Sequence, residues 1–129
     1  MQRRRGRYGN VKRYVAADGT KLDSGREYKR YQDLLLLERA GEISKLEVHP
    51  RYKIVIGGVP VMMKSTRYPN GRHLTYVADF TYLLVSGVGA DKEAERVIED
   101  VKMQSGHRTE VYKIKRALMD AMGLTITEY

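Results

Sequence analysis

Arg96-Val97-Ile98-Glu99-Asp100-Val101-Lys102-Met103 is the stretch on which the reading of the fold turns. Its apolar residues mark a strand that is at least half buried, yet Glu99, Asp100 and Lys102 stand in its middle. With a side-chain period of two, Asp100 and Lys102 share a face and Glu99 points away. Upstream, Leu74-Thr75-Tyr76-Val77-Ala78-Asp79-Phe80-Thr81-Tyr82 carries a single charge, Asp79. A lone carboxylate in an apolar, aromatic strand is costly unless something cationic meets it. If the two strands pair, Asp79 lies beside Asp100 with Lys102 next to them.

Two chemistries fit that pattern. Two carboxylates and a lysine on adjacent strands suit a hard divalent cation, since Mg²⁺ takes few carboxylates and fills its shell with waters and phosphate oxygens. The lysine then orients a water or stabilises charge on a phosphate. Equally, Asp79 and Lys102 can form a cross-strand ion pair while Asp100 faces solvent. Residues 24–41 bear on the choice. They predict a helix with a capping box, Ser24-x-x-Glu27, and Gly41 at its C-terminal end. Glu27 shares an angular sector with Tyr31, Leu34 and Glu38, a mostly apolar face that should pack on the sheet and carry Glu27 with it. The capping box is by itself a sufficient local reason for that glutamate. Glu38 is expected at a solvated edge.

Working outward, Asp18-Gly19 predicts a hairpin over 15–23. Short β-prone runs follow at 45–48, 52–56, 59–63, 73–85 and 96–103, divided by Pro50, Gly57-Gly58, Pro69-Asn70-Gly71 and the region 86–90. Residues 109–122 predict a second helix with Val111, Ile114, Leu118 and Met122 on one stripe. A last strand is expected at 124–128. The order suggests an α/β domain, a mixed sheet flanked by helices, which many unrelated functions share.

Composition narrows the classes. A chain of 129 residues is one domain's worth, and 42% hydrophobic with 31% charged residues is ordinary for a globular protein. Without cysteine there is no disulfide framework, thiolate metal site or cysteine nucleophile. The longest charge-free apolar stretch, 54–63, is broken by two glycines and a proline and cannot span a bilayer. The basic N-terminus lacks an apolar core for a secretory signal, so a cytoplasmic protein is expected. Of the net charge of +8, residues 1–13 carry +6 through Arg3, Arg4, Arg5, Arg7, Lys12 and Arg13. Such an arm on a single domain of residues 14–129 suits a polyanion. A solubilising tail is the plainer alternative. Lys113, Lys115 and Arg116 on the second helix either track a phosphate backbone or form a solvated face. His49-Pro50 closes a strand, and a lone histidine there is more often structural. His73 and His107 have no metal-ligand spacing.

An early-helix Glu, a strand Asp and a hydrophobic-Asp-x-Lys on the next strand together resemble the PD-(D/E)XK nuclease superfamily. More narrowly, Asp23-Ser24-x-x-Glu27-x-x-Arg30-Tyr31, Leu46-Glu47-Val48-His49-Pro50, Tyr76-Val77-Ala78-Asp79-Phe80 and Glu99-Asp100-Val101-Lys102 are similar to a family of small phage and prophage proteins. That family was long catalogued as a domain of unknown function. The resemblance runs from about residue 7 to the C-terminus. It implies a restriction-endonuclease-like core and Mg²⁺- or Mn²⁺-dependent hydrolysis of DNA, leaving a 5′-phosphate, in a bacterial host cell. By position, Asp79 and Asp100 match the metal-binding acids, the carbonyl of Val101 a further ligand, Lys102 the catalytic lysine and Glu27 the helix glutamate. Ala78 stands where the motif has proline, and Glu99 adjoins Asp100 as a rival second acid. Branched or double-stranded DNA and a homodimer suit a small domain with a basic arm. The rivals are a non-enzymatic nucleic-acid-binding protein and an inactive adaptor on the same fold.

Overall fold

The computed structural model describes residues 14–103 and 106–129, so the basic arm with Arg3, Arg4, Arg5 and Arg7 lies outside the described residues. The chain opens with a small hairpin of β1 (Tyr14–Val15) and β2 (Lys21–Leu22), turned at Asp18-Gly19 as the sequence predicts. Helix α1 (Gly25–Arg39) follows, then β3 (Ile43–Val48). Six short strands come next: β4 (Arg51–Lys53), β5 (Val55–Ile56), β6 (Val59–Pro60), β7 (Met62–Met63), β8 (Arg72–His73) and β9 (Thr75–Val77). The chain closes with β10 (Phe80–Ser86), β11 (Glu93–Asp100), α2 (Glu110–Ala121) and β12 (Ile126–Glu128).

Both helices end as their sequences dictate. Ser24 Oγ accepts from Glu27 N at 3.1 Å, and the Glu27 carboxylate accepts from Asp23 N at 3.2 Å, so the capping box closes one residue before the cap. At the other end Gly41 takes φ +79°, with Gly41 N bonded to Glu38 O and Glu42 N to Leu37 O. This is the glycine-terminated double bond that satisfies the last helical carbonyls. Gly123, also at φ +79°, closes α2 in the same way through Asp120 O and Met119 O.

The central sheet has the order β12-β11-β10-β3 and is mixed: β11 runs parallel to β12, and the other neighbours are antiparallel. Its faces make two cores. Phe80, Tyr82 and Ile43 pack with Tyr31 and Leu34 of α1, while Ile98, Ile126, Tyr76 and Ala78 pack with Met119 of α2. The fold is therefore α/β, a mixed sheet between two helices. No helix among the described residues is long and apolar enough to cross a membrane.

Four expectations need correction. Residues 73–85 are not one strand: the chain breaks at Leu74 and again at Ala78-Asp79, where Asp79 N turns to Glu99 O and the Asp100 carboxylate. Residues 96–103 are shifted. The strand begins at Glu93, paired with Ser86, and ends at Asp100, leaving Val101 and Lys102 beyond it. The run 59–63 is divided between two ribbons. Finally, the α2 stripe is covered only in part: Val111 and Ile114 are 62% and 58% exposed, Leu118 and Met122 half-buried, and the buried residue is Met119. Tyr112 turns inward instead, its ring 6.5 Å from that of Tyr76.

Candidate active site

The two aspartates meet where β10 leaves the short-strand region and β11 ends. Asp79 N donates to Asp100 Oδ1 at 3.0 Å, and Val101 N donates to Asp79 Oδ2 at 2.7 Å. Each carboxylate thus anchors on backbone of the other segment, Asp100 on Asp79 just before β10 and Asp79 on Val101 just after β11. Asp100 is buried and also accepts from the hydroxyl of Tyr76. The solvent-facing Asp100 of the ion-pair alternative is thereby ruled out. Among the described residues no ion pair joins Asp79 to Lys102. The Lys102 ammonium lies 4.2 Å from the ring centroid of Tyr112, and Lys102 N donates to Tyr129 O at 3.0 Å. It lines an open cavity of about 330 Å³ with Arg108, Glu128 and Tyr129.

Glu27 arrives from the first turn of α1, buried to 8% exposure. Its charge adds to burial in pushing the Asp79 carboxyl up to about 6, against the opposing pull of Val101 N–H and Lys102. Asp100 is also raised, chiefly by burial, with Lys102 and Asp79 N–H opposing. A second group adjoins Glu27: His49 Nε2 lies 3.4 Å from Glu27 Oε2 and 3.5 Å from Asp23 Oδ2, and ligand atoms of all three fall within 4.8 Å of one another. His49 takes φ +53° and donates its backbone N–H to Asp79 O.

A family model described as a protein of unknown function, DUF1064, matches residues 5–126. The chain belongs to the DUF1064 family. Comparison with curated proteins and with solved structures gives no match.

Within this DUF1064 chain, Glu99 has a different task from Asp100. At 1% exposure it faces α1, where Arg30 grips it through Nε and a terminal nitrogen at 2.7–3.2 Å. The Arg30 guanidinium in turn lies 3.5 Å from the ring centroid of Tyr129. The basic residues expected on α2 are mostly engaged: Lys113 with Glu110 at 3.1 Å and Arg116 with Glu128 at 3.2 Å, while Lys115 is half-buried. Sequence reasoning missed Tyr76 and the Asp23–His49 contact to Glu27. Both depend on long-range approach, although His49 directly follows a strand that pairs with β10.

Burial and the Glu27 charge hold the Asp79 carboxyl toward protonation, and added positive charge beside that pair would relieve the repulsion, with Asp100 tied to the Asp79 backbone next to them. Without metal, the folded state holds the Asp79 proton more tightly than the unfolded chain. The corresponding stability is present below about pH 4 and is lost as pH rises to about 6. Asp79→Asn removes that loss. The variant should exceed wild type at pH 7 by up to about 3 kcal/mol, and the gap should close toward pH 4. Urea melts of both proteins in chelator across this range check it. A gap that does not change with pH contradicts the raised Asp79 carboxyl.

Proposed function

We propose that this DUF1064 chain is a metal-dependent DNA endonuclease with a PD-(D/E)XK-like core. The observation that carries the reading is the tethering of Asp79 and Asp100, with Asp79 N donating to the Asp100 carboxylate and Val101 N to the Asp79 carboxylate, the Glu27 charge acting on Asp79 and Lys102 two residues beyond Asp100. The helix–sheet–helix order and the motif spacing agree with it. Asp79, Asp100 and Glu27 would hold Mg²⁺ or Mn²⁺, with the Val101 carbonyl as a further ligand. When bound, the cation supplies Lewis acidity toward a phosphodiester.

The chain's own groups do the rest. The tethered aspartates arrive pre-positioned, so little reorganisation accompanies binding. Lys102, half-buried and held by its backbone bond to Tyr129 O, lines a cavity with Arg108, Glu128 and Tyr129, and its charge acts on both aspartates. There it orients the attacking water and stabilises the charge that builds on the phosphate, with the 3′ oxygen leaving. Tyr76 fixes the second oxygen of Asp100 and Arg30 keeps Glu99 out of the site.

Lys102→Ala tests the reading. Single-turnover cleavage of DNA should fall roughly 10²–10⁴-fold, the range for a positioned acid–base or electrostatic group, with DNA affinity and melting temperature nearly unchanged. A variant that melts far below wild type yet cuts normally makes Lys102 a structural residue.

A further inference from the structure

Between Glu47 and Asp79 the chain has no acidic residue, and it carries Arg51, Lys53, Lys64, Arg67 and Arg72. Residues 51–77 therefore hold a net +5. The other described residues, 14–50 and 78–129, have 13 basic and 16 acidic side chains, a net of −3. All of the positive surplus within the described residues sits on this one insertion.

Its strands pair with one another and not with the central sheet. Three two-stranded ribbons, β4/β9, β5/β6 and β7/β8, meet at Ile54, Val61 and Leu74. Those residues bond in a ring: Ile54 N to Leu74 O, Leu74 N to Val61 O and Val61 N to Ile54 O, each at 2.9 Å. Ile54, 1% exposed, plugs the junction. The ribbon β7/β8 projects from it, and every residue from 62 to 70 is exposed. Its tip is closed on itself, since Tyr68 N donates to Ser65 Oγ while Ser65 N and Gly71 N donate to Tyr68 O. The Tyr68 ring lies 5.6 Å from the Arg67 guanidinium and 4.9 Å from that of Arg72. The ribbon β4/β9 returns to the catalytic end, because Tyr76 of β9 bonds Asp100.

We propose that this three-ribbon insertion is the duplex-binding element of the protein, with β7/β8 entering the major groove and Lys64, Arg67 and Arg72 on the flanking phosphates. A two-stranded ribbon fits a groove about 12 Å wide, and an acid-free surface meets no like charge along the backbone. The apolar ring of Tyr68 lies near both guanidinium groups at the leading end, where it packs on base or sugar edges. Because Tyr76 joins the insertion to Asp100, DNA held by the ribbon is held in register with the candidate active site. This last point rests on the nuclease reading; the binding itself does not.

The test compares wild type with the Lys64→Ala/Arg67→Ala/Arg72→Ala variant by fluorescence anisotropy on a labelled duplex of random sequence. Binding is measured in chelator from 50 to 200 mM salt, with cleavage in Mg²⁺ measured separately. Losing three phosphate contacts should lower the slope of log affinity against log salt by roughly 2.7, so that about 40-fold of the wild-type salt sensitivity across that range disappears. Melting temperatures should match, the three side chains being exposed. If the triple variant is misfolded, the single variants should each lower the slope by roughly 0.9. An unchanged slope overturns the proposal while leaving cleavage to stand, and wild type that fails to bind duplex overturns the proposal outright. A lowered slope with no cleavage by wild type supports the insertion's role and removes the nuclease reading.

Discussion

Asp79→Asn and Asp100→Asn should each lower Mg²⁺-dependent DNA cleavage by at least about 10²–10³-fold, the scale of losing one pre-organised electrostatic group. The fold should survive both changes. An asparagine can keep the acceptor oxygen that takes Val101 N–H from Asp79, or Asp79 N–H from Asp100. Neither variant strands a buried charge, and each takes one negative charge out of a crowded place. Glu99→Gln should behave in the opposite sense, impairing stability and leaving the chemistry in place, because Glu99 faces α1 and not the aspartates. Gel-based cleavage and thermal melts on the same preparations separate the two patterns. Full cutting by either aspartate variant removes the assignment.

The second large effect is structural. Arg30→Ala leaves Glu99 as an unpaired charge at 1% exposure, with the Tyr82 hydroxyl at 3.4 Å as its remaining side-chain donor. Removing one partner of a buried pair costs about 3–5 kcal/mol, which for a domain of this size lowers the melting temperature by roughly 10–20 °C. The Arg30→Met/Glu99→Leu double variant should recover most of that loss, since matched apolar replacement removes both desolvated charges together. Thermal unfolding of the single and double variants checks it. Equal melting of Arg30→Ala and wild type means that Glu99 has found another cation or a proton.

Much of this was legible in residues 14–50 and 80–129. The caps of α1 are local chemistry, so Ser24, Glu27 and Gly41 give its limits almost to the residue. The meeting of Asp79 with Asp100 follows from two apolar strands in antiparallel pairing, and burial of Glu27 from its place on the face of Tyr31 and Leu34. The start of β11 was hidden because Glu93–Arg96 are exposed on both faces and show no alternation. Two-residue strands have no periodicity at all, so the ribbon junction at Ile54, Val61 and Leu74 could not be seen. The charge of that insertion was in plain view, but averaging over residues 14–129 dilutes +5 and −3 into +2. Val111 and Ile114 satisfy a helical stripe without being buried, because periodicity reports which residues share a face and not whether anything covers it. Tyr76 and Arg30 hold partners 24 and 69 residues away, a distance at which no spacing rule operates.

The central claim is that Asp79, Asp100 and Glu27 form one divalent-cation site. Isothermal titration of Mn²⁺ and Mg²⁺ into the full chain at neutral pH, with Asp79→Asn alongside, tests it most directly. Saturable binding by wild type is expected, with loss of most of that binding in Asp79→Asn. Identical isotherms for the two proteins, or no binding by either, would contradict it.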